Sequence, residues 1–212
     1  MESQESGPTL KERSMADIIY SYKDSVYANI TNKCNCRCTF CIRFLKDGVG
    51  DADTLWHQTN PSKDEVIQAI RDYDFTGFEE LVFCGYGEPT CALDILLAAA
   101  KVAREEKHLR VRLNTNGLGN AENKRDIVPE LAEVLDSVSI SLNAPEKEKY
   151  EQVVRPQVSD AFEEMCKFAK ASKEKIGDVR MTIVDVLPDD EVEKCKELTK
   201  QLGIPLRVRH FT

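Results

Sequence analysis

The feature that most constrains the fold of this chain is a regular alternation of short apolar runs with longer amphipathic stretches. Six apolar runs rich in β-branched residues predict strands, at residues 26–30, 81–83, 109–113, 138–142, 179–184 and 206–208. Five stretches with helical periodicity predict helices, at residues 62–73, 93–106, 121–135, 159–175 and 190–202. Strand followed by helix, repeated, indicates parallel strands joined by right-handed crossovers. This pattern fits either a doubly wound open sheet or a complete or partial β/α barrel.

The polar motifs of the chain all follow a predicted strand. They lie at residues 32–41, 85–90 and 114–117, at Asn143 and at His210. In both architectures ligands bind at the carboxyl ends of the parallel strands. We therefore expect these motifs to meet in one site.

Composition and charge disfavour several classes of protein. Lys and Arg total 29 against 37 Asp and Glu, which gives the 212-residue chain a net charge of −8. Such a balance disfavours sequence-blind binding to a nucleic-acid backbone. No run reaches the roughly 18 apolar residues of a membrane span, and the first residues do not resemble a secretion signal. We expect a cytoplasmic protein with no membrane partner, built as one core domain over residues 15–212 after a loose tail at residues 1–14.

Four of the eight cysteines lie within eight residues, and three of them form the pattern C-x3-C-x2-C at Cys34, Cys38 and Cys41. Thiolates hold iron–sulfur clusters, usually four per cluster, so three leave one iron of a four-iron cluster open to another ligand. A structural zinc site needs four ligands, commonly in two separated pairs, and the chain has no second C-x2-C pair. Cys36 lies two residues from both Cys34 and Cys38, a tight spacing for one tetrahedron, so we expect it to hold no metal.

After the second predicted strand comes a glycine turn, Gly-Tyr-Gly-Glu at residues 85–88. Glycine lets a backbone approach a ligand closely, and the Glu88 carboxylate and backbone carbonyls can accept hydrogen bonds from a cationic amine. Taken alone, such a turn is often only a turn. The fourth predicted strand alternates strictly, which places Ser139, Ser141 and Asn143 on one face. That face is either a binding surface or the solvated face of an edge strand.

The cysteine pattern after strand one, the glycine turn after strand two and the polar strand ends beyond resemble the radical S-adenosylmethionine (SAM) superfamily. Seven segments are similar to one branch, the radical SAM proteins associated with TatD-family nucleases. These segments are residues 29–32, 40–43, 83–89, 114–117, 127–131, 139–145 and 205–210. The similarity runs from about residue 18 to the C-terminus. One departure is Tyr86, which stands beside the usual pair of glycines.

The resemblance implies an α/β fold, a partial (β/α)6 TIM-like barrel of parallel strands. It implies that Cys34, Cys38 and Cys41 bind a 4Fe–4S cluster whose open iron is chelated by SAM. Reductive cleavage of SAM would then yield a 5′-deoxyadenosyl radical, which takes a hydrogen atom from an unknown substrate. The implied SAM contacts are Phe40, Gly85, Gly87, Glu88, Thr115, Ser141 and Asn143. The implied partners are a reductant such as flavodoxin or ferredoxin and, functionally, a TatD-family nuclease.

Arginines concentrate on and near the predicted strands, which is unusual in an acidic protein. They are Arg110, Arg112, Arg155, Arg180, Arg207 and Arg209. Guanidinium groups pair with carboxylate or phosphate, so we expect an anionic substrate, small or nucleotide-like. The competing interpretation is that these side chains face outward and pair with acidic helices.

A long loop at residues 44–61 is typical of a lid at the same end of the sheet. Within it, we expect Trp56 to pack the loop down. His57 and His210 are candidate acid–base groups, although a solvated or structural His is the commoner outcome. Cys84 directly precedes the glycine turn and is placed to face the site.

Two other functions stay open at this stage. A metal-stabilised binding module would hold zinc or a cluster for structure only, and it would not require the glycine turn or the polar strand face. An activase would use the cluster to place a glycyl radical on a partner protein. The sequence identifies neither the substrate nor such a partner.

Overall fold

The computed structural model describes residues 17–209, which form a seven-stranded sheet with its strands in sequence order. The strands are β1 (Ile19–Tyr22), β2 (Ser25–Ala28), β3 (Glu80–Phe83), β4 (Arg110–Thr115), β5 (Ser137–Ser141), β6 (Asp178–Val184) and β7 (Leu206–Arg209). β1 and β2 form an antiparallel hairpin, and every pair from β2 to β7 is parallel. The predicted tail at residues 1–14 and His210 lie outside the described residues.

The same residues contain seven α-helices, all of them between β2 and β7. They are α1 (Lys63–Asp72), α2 (Leu93–Glu105), α3 (Gly119–Asn123), α4 (Val128–Val134), α5 (Lys147–Val154), α6 (Ala161–Lys175) and α7 (Asp189–Leu202). Right-handed crossovers between strands in sequence order place the connecting helices on one face of the sheet. Between residues 17 and 209 no helix is long and apolar enough to cross a membrane.

The expected α/β fold with a parallel sheet is confirmed. The six parallel strands β2 to β7 correspond to the partial barrel, and β1 and β7 are the two edges of the sheet. Alternation along each strand decides what each face carries. On β4, Val111 and Leu113 are fully buried in the main hydrophobic core, which the helices share, whereas Arg112 and Asn114 point to the opposite face. We call that opposite face the inner face.

Local sequence signals explain where several helices begin and end. The Ser62 side chain accepts a hydrogen bond from the Glu65 amide at 3.3 Å, and the Glu65 carboxylate accepts one from the Ser62 amide at 2.7 Å. This reciprocal pair satisfies two amides that the first turn of α1 leaves free. At the other end of the chain, α7 stops at Gly203, whose φ of 64° suits glycine.

The structure corrects the sequence prediction in the helical regions and at the first strand. The single helix predicted at residues 121–135 is wrong, because Lys124 adopts a left-handed conformation with φ 54° that ends α3. α4 then begins anew with Pro129 in its first turn, where a missing amide costs nothing. Neither β1 nor α5 is predicted from the sequence.

Candidate active site

The three cysteines of the C-x3-C-x2-C pattern lie on one loop after β2, residues 34–41, which we call the cluster loop. The Cys41 amide donates to the Cys38 carbonyl at 3.2 Å, so the second half of the loop is a tight turn. Residues 35–39 pair with residues 153–157, which form the end of α5 and the segment just after it, through an antiparallel bridge and flanking backbone hydrogen bonds. The backbone on both sides of the central thiol is therefore fixed.

The thiols of the cluster loop lie close enough to influence one another. Burial, followed by repulsion from Cys41 and Cys34, raises the pKa of Cys38 to about 12. Burial also raises the pKa of Cys41, while a hydrogen bond with the Cys36 thiol lowers the pKa of Cys34. Three thiolates can share this loop only if a cationic group compensates their charge.

Cys36 differs from the other cysteines of the loop. Its side chain is 2% exposed and packs in the main core, where the Asn116 side-chain amide donates to its sulfur at 3.4 Å. No group of three or more His, Cys, Asp or Glu side chains in the described part of the chain could hold a single metal ion. A four-iron cluster makes a different demand, because each thiolate binds its own iron.

The glycine turn lies directly against the cluster loop and its approach. A Cβ on Gly87 would collide with the Thr31 carbonyl and come within 2.7 Å of the Lys33 carbonyl oxygen, so only glycine fits there. The Glu88 amide donates to the Lys33 carbonyl at 2.8 Å. A Cβ on Gly85 would collide with the Asn29 side chain. The turn and the cluster loop thus form one backbone unit.

The Glu88 carboxylate is buried and accepts hydrogen bonds from two other segments. Thr115 Oγ1 donates to it at 2.7 Å, Thr90 Oγ1 at 2.8 Å, the Asn116 amide at 2.8 Å and the Thr90 amide at 3.1 Å. Burial raises the pKa of Glu88, and these donors oppose that shift. The Glu88 and Thr115 side chains therefore hold the glycine turn to the end of β4.

Asn116 continues this network into the cluster loop. Its side-chain amide donates to Asn35 Oδ1 at 2.7 Å, and Asn35 donates in turn to Glu122, which also pairs with Lys33 at 2.6 Å. Sequence reasoning missed Asn35 and Asn116 as positioning residues. The only available signal was that the motif at residues 114–117 follows a strand, because the two partners are 81 residues apart in the chain.

Tyr86, the departure from the usual glycine pair, has a structural explanation. Its ring meets Trp56 edge to face, with the centroids 5.4 Å apart, and its hydroxyl donates to the Lys46 carbonyl. It forms a second small core with Tyr20 and Leu55 on the inner face. The loop at residues 44–61 is therefore packed down, with Trp56 as one of its anchors.

His57 also anchors the loop at residues 44–61. Its Nε2–H donates to the Asn29 carbonyl at 2.9 Å, and the side chain is 9% exposed. Burial lowers its pKa, against the hydrogen bond to Asn29 and the charge of Asp17. The structure places this imidazole in a structural position.

The inner face of the second half of the sheet carries a polar pocket. It is lined by Arg112, Asn114, Ser139, Ser141, Thr182, Arg207 and Arg209. Arg112 pairs with Glu80 at 2.9 Å. Among residues 17–209, no carboxylate lies within 4 Å of the Arg207 or Arg209 guanidinium group.

Cys84 directly follows β3. Leu81 and Phe83 of that strand lie in the main core, so alternation along the strand places Cys84 on the inner face. Burial raises the pKa of Cys84, while a hydrogen bond with Asn114 and the charges of Arg209 and Arg112 oppose that shift.

The remaining candidates are scattered. Asn143 has φ 59° and is 6% exposed, and its Oδ1 is buried without a hydrogen-bond partner. Phe40 is half-buried in the cluster loop. Arg180 pairs with Asp178, whereas Arg110 and Arg155 are exposed outside the pocket. The pocket thus gathers three of the six arginines.

The family model described as the radical SAM superfamily matches residues 28–202. This chain belongs to the radical SAM superfamily. A GTP 3′,8-cyclase of Lactiplantibacillus plantarum is 28% identical over 195 residues, which cover 89% of this chain and 54% of that protein. A GTP 3′,8-cyclase of Limosilactobacillus fermentum is 28% identical over 194 residues, with the same coverage. The chain spans about half the length of these curated relatives.

The solved structures that resemble this radical SAM protein share its fold. Streptococcus suis SuiB, in a crystal structure bound to S-adenosylmethionine, aligns with a TM-score of 0.62 at 17% identity. The alignment covers 88% of this chain and 38% of that chain.

The radical SAM superfamily is a family of enzymes that use a 4Fe–4S cluster and SAM, and the residues present fit both groups. Three convergent thiols on one loop are the donor set for a cluster with one open iron. The glycine turn that touches this loop offers a backbone that a ligand of that iron can reach. The unpartnered Asn143 Oδ1 is a buried acceptor still available to a ligand.

Proposed function

We propose that this chain is a radical SAM enzyme that takes a hydrogen atom from an anionic small molecule. The observation that carries the proposal is the packing of the glycine turn on residues 31–33, which lead directly into the cluster loop. Gly87 and the hydrogen bond from the Glu88 amide to the Lys33 carbonyl make this contact. Cys34, Cys38 and Cys41 would hold the cluster. Bound together, the reduced cluster and SAM supply a 5′-deoxyadenosyl radical.

The roles of the SAM-binding residues follow from which of their polar groups are still available. The Glu88 carboxylate and the Thr115 hydroxyl are hydrogen-bonded to each other, so their role is to position the glycine turn. The backbone carbonyls of that turn would accept hydrogen bonds from the SAM amine. Asn143 Oδ1, a buried acceptor without a partner among the described residues, would accept a hydrogen bond from a ribose hydroxyl. Ser141 lines the neighbouring pocket, and Phe40 is assigned to the adenine by its place in the cluster loop.

An anionic substrate is supported by the polar pocket. Arg207 and Arg209 extend from the edge strand without an acidic partner in the described part of the chain, and the Ser141 and Thr182 hydroxyls lie in the same pocket. Such a set of cations and hydroxyls binds carboxylate or phosphate oxygens. The name of the curated relatives, GTP 3′,8-cyclase, specifies an anionic nucleotide, which supports the same substrate class.

The cofactor chemistry is tested by anaerobic reconstitution with iron and sulfide, followed by dithionite and SAM. We expect an electron paramagnetic resonance signal of the reduced cluster and formation of 5′-deoxyadenosine. Both should disappear in Cys38→Ala and persist in Cys166→Ala, which removes a half-buried thiol on α6. A colourless protein with stoichiometric zinc and no 5′-deoxyadenosine would favour the binding module instead.

The substrate class is tested with GTP as a probe anion in titration calorimetry. The double variant Arg207→Gln with Arg209→Gln should lose at least tenfold in affinity, yet still cleave SAM with dithionite. Arg110→Gln is the matched control, because Arg110 is an exposed strand arginine outside the pocket. Equal affinity in all three proteins would contradict an anion site at the pocket.

We also infer a cytoplasmic protein with a functional link to a TatD-family nuclease, as the seven similar segments suggest. The resemblance of residues 83–89 and 139–145 supports this link. It is tested by measuring the DNase activity of a purified TatD-family nuclease with and without this protein. An unchanged rate together with no complex on gel filtration would count against a direct link.

A further inference from the structure

Tyr150 on α5 is a buried tyrosine whose hydroxyl has no hydrogen-bond partner in the described part of the chain. Its side chain is 0% exposed and packs in the main core, edge to face with the Phe162 ring at 5.6 Å between the centroids. A buried hydroxyl that pairs with nothing costs free energy, and a phenylalanine would fill the same space without that cost. The hydroxyl therefore indicates a partner other than residues 17–209.

The position of Tyr150 is fixed by the pairing of α5 with the cluster loop. Tyr150 lies one helical turn before Val154, so the two side chains share the buried face of α5. The Arg37 amide donates to the Val154 carbonyl at 3.1 Å, and the Thr39 amide donates to the Val153 carbonyl at 2.9 Å. Tyr150 is thus one turn away from the backbone that holds the middle of the cluster loop.

The core around Tyr150 includes the back of the cluster loop. Cys36 is buried in the same core, and Cys34 and Cys38 pack against it as partly buried side chains. Burial raises the pKa of the Tyr150 phenol, and the charges of Cys36 and Cys38 act in the same direction. The phenol therefore keeps its proton and is a hydrogen-bond donor on this side of the loop.

A second buried donor lies just beyond the other end of the cluster loop. Arg43 follows Cys41 by two residues, and its Nε has no partner among residues 17–209, although its Nη1 donates to the Asn32 carbonyl at 3.3 Å. In the same part of the chain, the third buried side-chain donor without a partner is the Ser172 hydroxyl. A serine inside a helix can turn to a carbonyl one turn earlier. The two donors without such a local acceptor both adjoin the cluster loop.

We propose that the Tyr150 hydroxyl donates a hydrogen bond to a sulfur atom of the bound cluster and thereby raises the reduction potential of the cluster. The inference rests on the proposed function, since it assumes that Cys34, Cys38 and Cys41 hold a 4Fe–4S cluster. Such a cluster brings sulfide and thiolate acceptors to this side of the core. Reduction adds one negative charge, so a donor to these sulfurs stabilises the reduced form more than the oxidised form.

The alternative partner for the hydroxyl is a buried water molecule. A water would satisfy the hydroxyl whether or not the cluster is present, because it belongs to the folded polypeptide. A partner on the cluster satisfies it only after reconstitution. In the second case the hydroxyl is unpaired in the apoprotein, and removing it should not destabilise that form.

The first measurement is urea denaturation of the protein before reconstitution. We expect Tyr150→Phe to unfold at a urea concentration at least as high as the wild type does. Tyr20→Phe is the matched control, because Tyr20 is also buried and its hydroxyl already donates to the Cys84 carbonyl at 3.3 Å. The control should unfold at a lower urea concentration. A midpoint of Tyr150→Phe as low as that of Tyr20→Phe would assign the hydroxyl to a water or protein partner and overturn the inference.

The second measurement is the midpoint potential of the reconstituted cluster, from a potentiometric titration followed by electron paramagnetic resonance. We expect Tyr150→Phe to lower this potential by about 59 mV, which corresponds to a tenfold change in a one-electron equilibrium. Tyr20→Phe should keep the wild-type potential. A purely structural role of Tyr150 would not change the potential of a fully loaded cluster. Equal potentials in the wild type and Tyr150→Phe, at equal iron content, would contradict the hydrogen bond.

The inference and the function on which it rests fail in different ways. A wild type that builds no four-iron cluster, or that forms no 5′-deoxyadenosine with dithionite and SAM, would overturn the proposed function. A wild type that cleaves SAM, with a cluster potential that Tyr150→Phe leaves unchanged, would overturn the role of Tyr150 alone.

Discussion

The two halves of the inner face are built in opposite ways. Beside β1 to β3 it is apolar, where Tyr20, Leu55 and Tyr86 form a closed cluster under the loop at residues 44–61. Across β4 to β7 it is polar, and it carries Arg207 and Arg209, for which residues 17–209 provide no acidic partner. The apolar half is filled by the chain itself, whereas the polar half keeps donors available. The difference indicates that the first half is scaffold, and under the proposed function the second half is the substrate side.

The sharpest way to test the apolar half is to remove its largest anchor. Tyr86→Ala should lower the free energy of unfolding by about 3–5 kcal/mol, because it empties a buried aromatic position. Tyr86→Phe keeps the ring and loses only the hydrogen bond to the Lys46 carbonyl, at a cost of about 1 kcal/mol. Urea denaturation measures the unfolding free energy of the two variants. If Tyr86→Ala were as stable as Tyr86→Phe, the apolar half would not be scaffold.

Glu88 joins the glycine turn to β4, between the two halves, and its replacement should have the next largest effect. In Glu88→Gln, an amide group faces donors from Thr90, Thr115 and Asn116, so at least one hydrogen bond to the former carboxylate is lost. We expect a loss of about 1.5–3 kcal/mol in unfolding free energy.

Glu106→Gln is the matched control for this change. Glu106 and its partner Arg71 are both exposed and lie outside this network, so we expect a clearly smaller loss than in Glu88→Gln. Urea denaturation and iron content after reconstitution measure the two variants. Equal losses would show that Glu88 is no more central than a surface carboxylate.

The burial of His57 predicts that the free energy of unfolding depends on pH. Burial lowers its pKa, so the folded state binds a proton less readily than the unfolded state, whose imidazole titrates near pH ~6.5. The stability that it contributes is complete above that pH and is lost as the pH falls through the folded pKa. Urea denaturation between pH 7.5 and 5.5 should show a smaller fall in His57→Gln than in the wild type.

The control for this prediction is His108→Asn, at an exposed position with φ 55° that asparagine tolerates. It should retain the wild-type fall. A fall in His57→Gln as steep as that of the wild type would assign the pH dependence to other groups.

The smallest effect on stability is expected in the polar half. Ser141→Ala removes a pocket hydroxyl and should change the unfolding free energy by no more than about 0.5 kcal/mol. Ile140→Ala, one residue away on the opposite face of β5, should cost about 2–5 kcal/mol. A large loss in Ser141→Ala would mean that the polar half is also scaffold.

The parallel sheet could be predicted because its strands are short apolar runs separated by helical periodicity. β1 could not, since Ile19–Tyr22 is mixed in polarity and its hairpin turns at Lys23, with φ 53°, rather than at a glycine. α5 has only two buried residues, Tyr150 and Val154, which is too few for a clear period. Local pattern predicts elements that bury a regular stripe, and it fails where long-range contacts decide the conformation.

The site divides in the same way. The cysteine pattern and the glycine turn are visible because spacing along the chain carries their chemistry. The contacts of Glu88 with Thr115, and of Asn116 with Asn35, join residues 27 and 81 positions apart, so only the fold brings them together. Tyr86 departs from the usual sequence of the turn, and its packing against Trp56 is visible only in the fold.

The position of β7 has a consequence for how molecules of this protein behave at high concentration. β7 is an edge strand that pairs with β6 alone among the described strands. An open edge is a template on which another chain can add a strand, and charged side chains discourage such addition. Arg207 and Arg209 flank the exposed Val208 on this edge. The two arginines assigned to the substrate anion therefore also discourage strand addition at this edge. A variant without both charges would bind anions less well and would associate more readily through β7.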